Sequence, residues 1–150
     1  MPDIGGLRLP EPQKPIPLAE SPKILKESAK QEGESLFAVC AKNDEIFLIP
    51  VKRSKSLCVS FDAKDVAEAC KSHGMVAVGT FHTHPCSDKL CILPSGEDMF
   101  YYAKISEFLP LFCIASQKEF VCYYRGENEN FQEVYGKLKE LPSLIVAEEK

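Results

Sequence analysis

Two histidines stand two residues apart in Phe81-His82-Thr83-His84-Pro85, at the end of the apolar run Met75-Val76-Ala77-Val78-Gly79-Thr80. In a strand, residues i and i+2 point to the same face and the chain rises roughly 3.3 Å per residue, so two imidazoles in this arrangement can converge on one ion. Pro85 then stops the strand. Downstream, Ser95 stands three residues before Asp98 in Ser95-Gly96-Glu97-Asp98, a helix-start signal that capping alone explains. The same helix start can also carry Asp98 towards His82 and His84. Three such ligands with an open fourth position describe catalytic rather than structural zinc. Of the 3 histidines in the chain, His73 reads as an ordinary helix-terminal residue.

The elements that must position these groups follow from periodicity and punctuation. Ser21-Pro22 is a helix start, with the hydroxyl able to cap free amides, and predicts a helix over 22–32 with Ile24, Leu25, Ser28 and Ala29 on one face and Gly33 as its stop. Strands are expected at 35–41, 45–51 and 56–61, with Asn43-Asp44 as a hairpin turn between the first two. Asp62 can cap a second helix reaching to residue 73, in which Val66, Ala67 and Cys70 share a face and which ends at Gly74. The strand over 75–82 delivers the histidines, and a polar loop over 83–94 leads to an apolar helix through Phe100, Tyr101 and Ile105. Segments 109–115 and 119–125 form a hairpin around Ser116-Gln117-Lys118, and 131–138 is a short amphipathic segment. Strands and helices mix without a βαβα alternation. The expected class is therefore α/β, with a mixed, largely antiparallel sheet flanked by helices.

Composition limits the rest. The 150 residues are 45% hydrophobic and 27% charged, which predicts one folded unit able to bury about 70% of its unfolded surface without a metal or disulfide scaffold. Six of the 11 prolines lie in the first 22 residues, so residues 1–20 read as an extended arm, 21–140 as the domain and 141–150 as a charged tail. The net charge of −4 and the absence of a basic block exclude nucleic acid as an expected partner. No stretch predicts a membrane span or an apolar leader, and a cytoplasmic location is expected. The 7 cysteines show no CxxC pair, which argues against a zinc ribbon, a thioredoxin-type site or a fully bridged secreted scaffold. Most of them read as small buried hydrophobes. Cys86 and Cys91 fall in the polar loop, where redox or metal chemistry is conceivable. Cys91 and Cys113 could approach one another, and reduced thiols are the expectation.

His82, His84, Pro85, Ser95 and Asp98 together resemble the signature of the JAMM/MPN+ metalloproteases, the zinc deubiquitinases and their prokaryotic relatives. Those proteins carry HxHP on a strand, then a loop, then SxxD at a helix start, with a glutamate from an upstream strand. The resemblance covers residues 24–124. It implies an MPN-type, cytidine-deaminase-like α/β sandwich with one catalytic zinc held by His82, His84 and Asp98. It also implies Glu34 as general base and then general acid, and the Ser95 hydroxyl as oxyanion stabiliser. The implied partner is ubiquitin or a ubiquitin-like protein, cleaved by isopeptidase or peptidase action after its C-terminal glycines, with the tail bound as an added strand.

Two departures stand out. Thirteen residues separate His84 from Asp98, so the loop Cys86-Ser87-Asp88-Lys89-Leu90-Cys91-Ile92-Leu93-Pro94 is extended relative to the family. The family's glutamate precedes a strand at a spacing that here falls on Ser35, with Glu34 one residue off and Glu32 also in range. Glu34, Leu36 and Ala38 alternate on one strand face, which favours Glu34.

A cupin-like oxygenase built on HxH and Asp88 lacks a later histidine. An amidohydrolase barrel needs about 250 residues. The serious alternative is a metal-free or weakly active MPN-type scaffold that binds a partner protein.

Overall fold

Asn43 and Asp44 adopt positive φ, 51° and 65°, the left-handed conformation that a two-residue type I′ turn requires and that Asn and Asp tolerate best after glycine. They join β2 (Glu34–Lys42) to β3 (Glu45–Ser54) as an antiparallel hairpin, closed by the pairing of Lys42 with Glu45. The computed structural model describes residues 14–54, 62–86, 92–94, 96–126 and 131–145.

The remaining strands are β1 (Ile16–Pro17), β4 (Val76–Thr83), β5 (Leu111–Ala115), β6 (Glu119–Arg125) and β7 (Phe131–Lys137). They form one seven-stranded sheet in the order β1-β3-β2-β4-β5-β6-β7. Only β4 and β5 run parallel; every other neighbouring pair is antiparallel. The parallel pair needs a crossover, and α3 (Gly96–Ile105) lies in it. The α/β class with a largely antiparallel sheet and flanking helices is thus what the chain adopts. The 56–61 run expected as a strand lies outside the described residues.

Strand alternation sends neighbouring residues to opposite layers. Phe37, Val39, Phe81, Cys113 and Phe120 pack with Leu25 of α1 (Ser21–Lys30) and Leu141 of α4 (Leu141–Leu144). Ala38, Cys40 and Ile49 pack on the other face with Val66 and Cys70 of α2 (Ala63–Lys71). Phe112, Ile114 and Val121 continue that second face under Tyr102 of α3. Each large apolar side chain so buried stabilises the fold by about 1.5–3 kcal/mol. Gly79 lets β4 approach β5 closely, because a Cβ there would collide with the backbone carbonyl of Leu111.

The ends of the helices follow the sequence with one exception. The Asp62 side chain accepts a hydrogen bond from the Lys64 backbone N–H at 3.3 Å, and Gly33 and Gly74 take positive φ just beyond α1 and α2. Ser21, however, does not cap α1. Its hydroxyl donates to the Leu18 carbonyl at 2.7 Å, inside a 3-10 turn over Leu18–Glu20. Pro22 in the first turn of α1, with its φ preset for a helix, remains as the start signal.

At both ends the packed structure reaches into segments expected to lie outside it. Ile16 and Pro17 pair with Leu48 and Phe47 as an edge strand. At the other end Leu141, the first residue of the expected tail, is fully buried, while the 131–138 segment inside the expected domain supplies β7.

The cysteines correct an expectation. Cys40 is bonded to Cys70, tying β2 to α2, and Cys113 is bonded to its cross-strand neighbour Cys122. Cys113 is therefore not available to Cys91, and these four are not free thiols; Cys86 is disulfide-bonded as well. Disulfides of this kind persist in oxidising compartments. Among the described residues no helix is long and apolar enough to cross a membrane.

Candidate metal centre

Sheet register assembles the site. Leu36 of β2 lies opposite His82 of β4 in an antiparallel pair, so stepping two residues outward along both strands brings Glu34 opposite His84 on the same face. His84 is one residue past the end of β4 and is held by its backbone N–H, which donates to the Ala115 carbonyl at 2.8 Å. The Nε2 atoms of His82 and His84 are 3.1 Å apart. Glu34 Oε2 lies 3.9 Å from His84 Nε2, and Asp98 Oδ2, from the first turn of α3, lies 3.9 Å from His82 Nε2. The sequence-predicted residues His82, His84, Asp98 and Glu34 therefore converge. Ser95 lies outside the described residues.

The donor set fits a small divalent cation. One ligand atom from each of Glu34, His82 and His84 lies within 4.8 Å of the other two. Atoms bound about 2.0–2.2 Å from one zinc ion lie no more than about 4.4 Å from one another, a limit that the 3.1 Å and 3.9 Å separations meet. Two imidazole lone pairs facing each other at hydrogen-bond distance need a proton or a cation between them.

Burial makes the cation the better partner for His82. It pushes the imidazole down to about 4; His84 adds to this, and the Asp98 charge opposes it. At neutral pH His82 is therefore uncharged, the form in which an imidazole can bind a cation. Its surroundings explain why: the ring packs at 5.3 Å on Phe112, which stacks at 5.2 Å on Tyr102. The Tyr102 hydroxyl donates to the Pro110 carbonyl at 2.6 Å and so holds this floor in place.

Glu34 is the second perturbed group. Burial and, less strongly, the negative charge of Asp98 raise its carboxyl to about 7. Such a carboxyl gains and releases a proton near neutrality. Its position is set by its neighbours. The Ser35 backbone N–H donates to Thr83 Oγ1 at 3.1 Å, tying β2 to the histidine strand. The Arg53 guanidinium of β3 donates to Ser35 Oγ and, at 2.6 Å, to the Glu32 carbonyl. Glu32 itself is exposed and contributes its backbone to this clamp. Of the two glutamates in range, Glu34 faces the histidines. The choice turns on the one-residue phase of the turn at Gly33, where φ is +86°.

Sequence reasoning did not single out Arg53, Thr83 or Phe112. Arg53 sits in a basic stretch, Val51-Lys52-Arg53, that looks like any solvated strand end, and it meets Ser35 and the Glu32 carbonyl only once β2 and β3 are paired. Phe112 was legible as core but not as the floor of a site. Comparison with known proteins finds no family model and no curated protein that matches this chain.

Proposed function

We propose that the chain is a zinc-dependent hydrolase of the JAMM/MPN+ type. The proposed reaction cleaves a peptide or isopeptide bond after the C-terminal glycines of ubiquitin or a ubiquitin-like modifier. The observation that carries this reading is a pair of imidazole nitrogens 3.1 Å apart, that of His82 buried and that of His84 half-buried, flanked by two carboxylates, one of which titrates near neutrality. His82, His84 and Asp98 are the ligands in this account. When bound, zinc supplies a Lewis acid that makes water nucleophilic near pH 7 and polarises the scissile carbonyl.

The chain's own residues do the rest. Glu34 Oε2, 3.9 Å from His84 Nε2, takes a proton from the attacking water and returns it to the leaving amine. One carboxyl serves both steps best when its pKa lies near the working pH, and the burial of Glu34 places it there. His82, kept neutral by its apolar floor, stays a ligand throughout. Ser95, which precedes Gly96 in the sequence, is assigned the hydroxyl that stabilises the developing oxyanion. A glycine-ended tail is a suitable substrate because an extended, side-chain-free segment can approach a recessed site as an added strand.

One observation favours a different division of roles. Glu34, not Asp98, completes the tightest group with the two histidines, which would make Glu34 a ligand. Zinc retention and cleavage of a ubiquitin-like fusion carrying a Gly-Gly junction separate the two assignments. Glu34→Gln is expected to keep zinc and lose cleavage by at least about a hundredfold, the usual scale for a general base. Asp98→Asn is expected to lose zinc. If Glu34→Gln loses zinc while Asp98→Asn keeps it, the roles are exchanged. If wild-type protein holds zinc but cleaves no such fusion, the modifier reading fails, and a partner-binding scaffold becomes the better account.

A further inference from the structure

On the α1 side of the sheet, in the layer opposite the histidines, lies an open groove of about 740 Å³ lined by Lys23 and Lys26 of α1, Lys118 of the β5–β6 turn, Lys137 at the end of β7 and Lys139 in the 3-10 turn that follows it. The chain as a whole carries a net charge of −4, so five lysines around one concavity reverse the sign of the molecule locally. None of the five ammonium groups has a carboxylate within 4.0 Å among the described residues. The single acid lining the groove, Glu119, already accepts a hydrogen bond from the Tyr135 hydroxyl. Five ammonium groups around one concavity against a single carboxylate leave a net positive potential there, which a polyanion complements.

The shape and lining narrow the class of polyanion. Pro22 and Leu138 add apolar wall between the lysine stems. No arginine fork is present for planar bidentate capture of phosphate, and no aromatic ring for stacking bases. We propose that this groove is a docking surface for an acidic polypeptide segment of a partner protein, with glutamates or aspartates spaced over the lysines and an apolar side chain against Pro22 and Leu138. The proposal stands independently of the metal centre, since none of its residues touches that site.

The test is fluorescence anisotropy of the full chain with a short fluorescein-labelled oligoglutamate peptide containing a central leucine, in about 50 mM salt. The Lys23→Glu, Lys26→Glu, Lys118→Glu triple variant is expected to bind at least about tenfold more weakly than wild type. The Lys64→Glu, Lys71→Glu double variant changes exposed lysines on α2, across the sheet, and is expected to stay within about twofold. If thermal melts show the triple variant unfolded, Lys137→Gln with Lys139→Gln replaces it, with about a threefold loss expected. The proposal is overturned if wild type fails to bind the peptide, if the α2 control loses as much as the groove variant, or if a single-stranded oligonucleotide of equal charge binds more tightly.

Discussion

Two groups that differ by one proton govern the residue scale, and they pull stability in opposite directions. Relative to the ordinary value of 4.5, burial raises Glu34 to about 7. Relative to 6.5, burial lowers His82 to about 4. In metal-free protein, folded Glu34 keeps a proton that the unfolded chain has released, so its contribution is present at low pH and is lost as pH rises through about 7. Folded His82 lacks a proton that the unfolded chain binds, so its contribution is present above 6.5 and is lost as pH falls towards 4. A full one-proton difference is worth about 1.4 kcal/mol per pH unit, and over the shared window the two slopes oppose. Glu34→Gln removes the falling one. Urea melts of the metal-free variant should therefore show unfolding free energy climbing more steeply from about pH 4.5 to 6.5 than in wild type; parallel profiles would contradict the burial of these groups. The histidine pair was legible because an i, i+2 spacing at a strand end has few other uses. The glutamate was ambiguous because a one-residue difference in a turn decides which side chain faces the site, and local sequence does not fix that phase.

At the scale of elements, the site depends on two neighbours of β2 and β4 that carry no chemistry. Gly79 permits β4 to lie against β5, and His82 and His84 are delivered by that strand. Gly79→Ala must displace backbone rather than a flexible side chain, so chemical denaturation should show a loss at the upper end of the overpacking range, about 3 kcal/mol. A variant as stable as wild type would contradict the close approach. Arg53 links β3 to the turn before β2 through Ser35, the Glu32 carbonyl and, at 3.5 Å, the Ser28 carbonyl. Arg53→Ala leaves these partners to water and should cost about 1–2 kcal/mol in the same assay. If the clamp positions Glu34, the variant also lowers kcat for the fusion more than it raises KM, while zinc content stays unchanged. Strand periodicity and the turn at Asn43-Asp44 make most of these elements legible in the sequence. Ser21 failed as a cap because a preceding 3-10 turn offered its hydroxyl the Leu18 carbonyl instead, a competition that a capping rule read from four residues does not contain.

The whole molecule is a sheet clamped between two helical layers, with the proposed reaction in one layer and the lysine groove in the other. The Cys40–Cys70 bond closes a loop of sequence separation 30, for which the chain-entropy account gives about 3–4 kcal/mol. Cys40→Ser with Cys70→Ser should lower the unfolding free energy by up to that amount; equal melts of this variant and the wild type without reductant would contradict the bond. Pairing of the cysteines was not legible in the sequence because an odd count at irregular spacing leaves many connectivities, and only the β5–β6 and α2–β2 contacts select among them. The class of fold was legible, since helical and strand periods are each distinct along the chain and short hairpin turns, not βαβα alternation, join several of the strands. In the proposed account two imidazoles and a carboxylate hold one zinc ion, and elemental analysis of protein purified without a histidine tag tests it most directly. About one equivalent of zinc per chain in wild type, falling to near none in His82→Ala, is the predicted result; less than about half an equivalent in wild type, unchanged by His82→Ala, would contradict it.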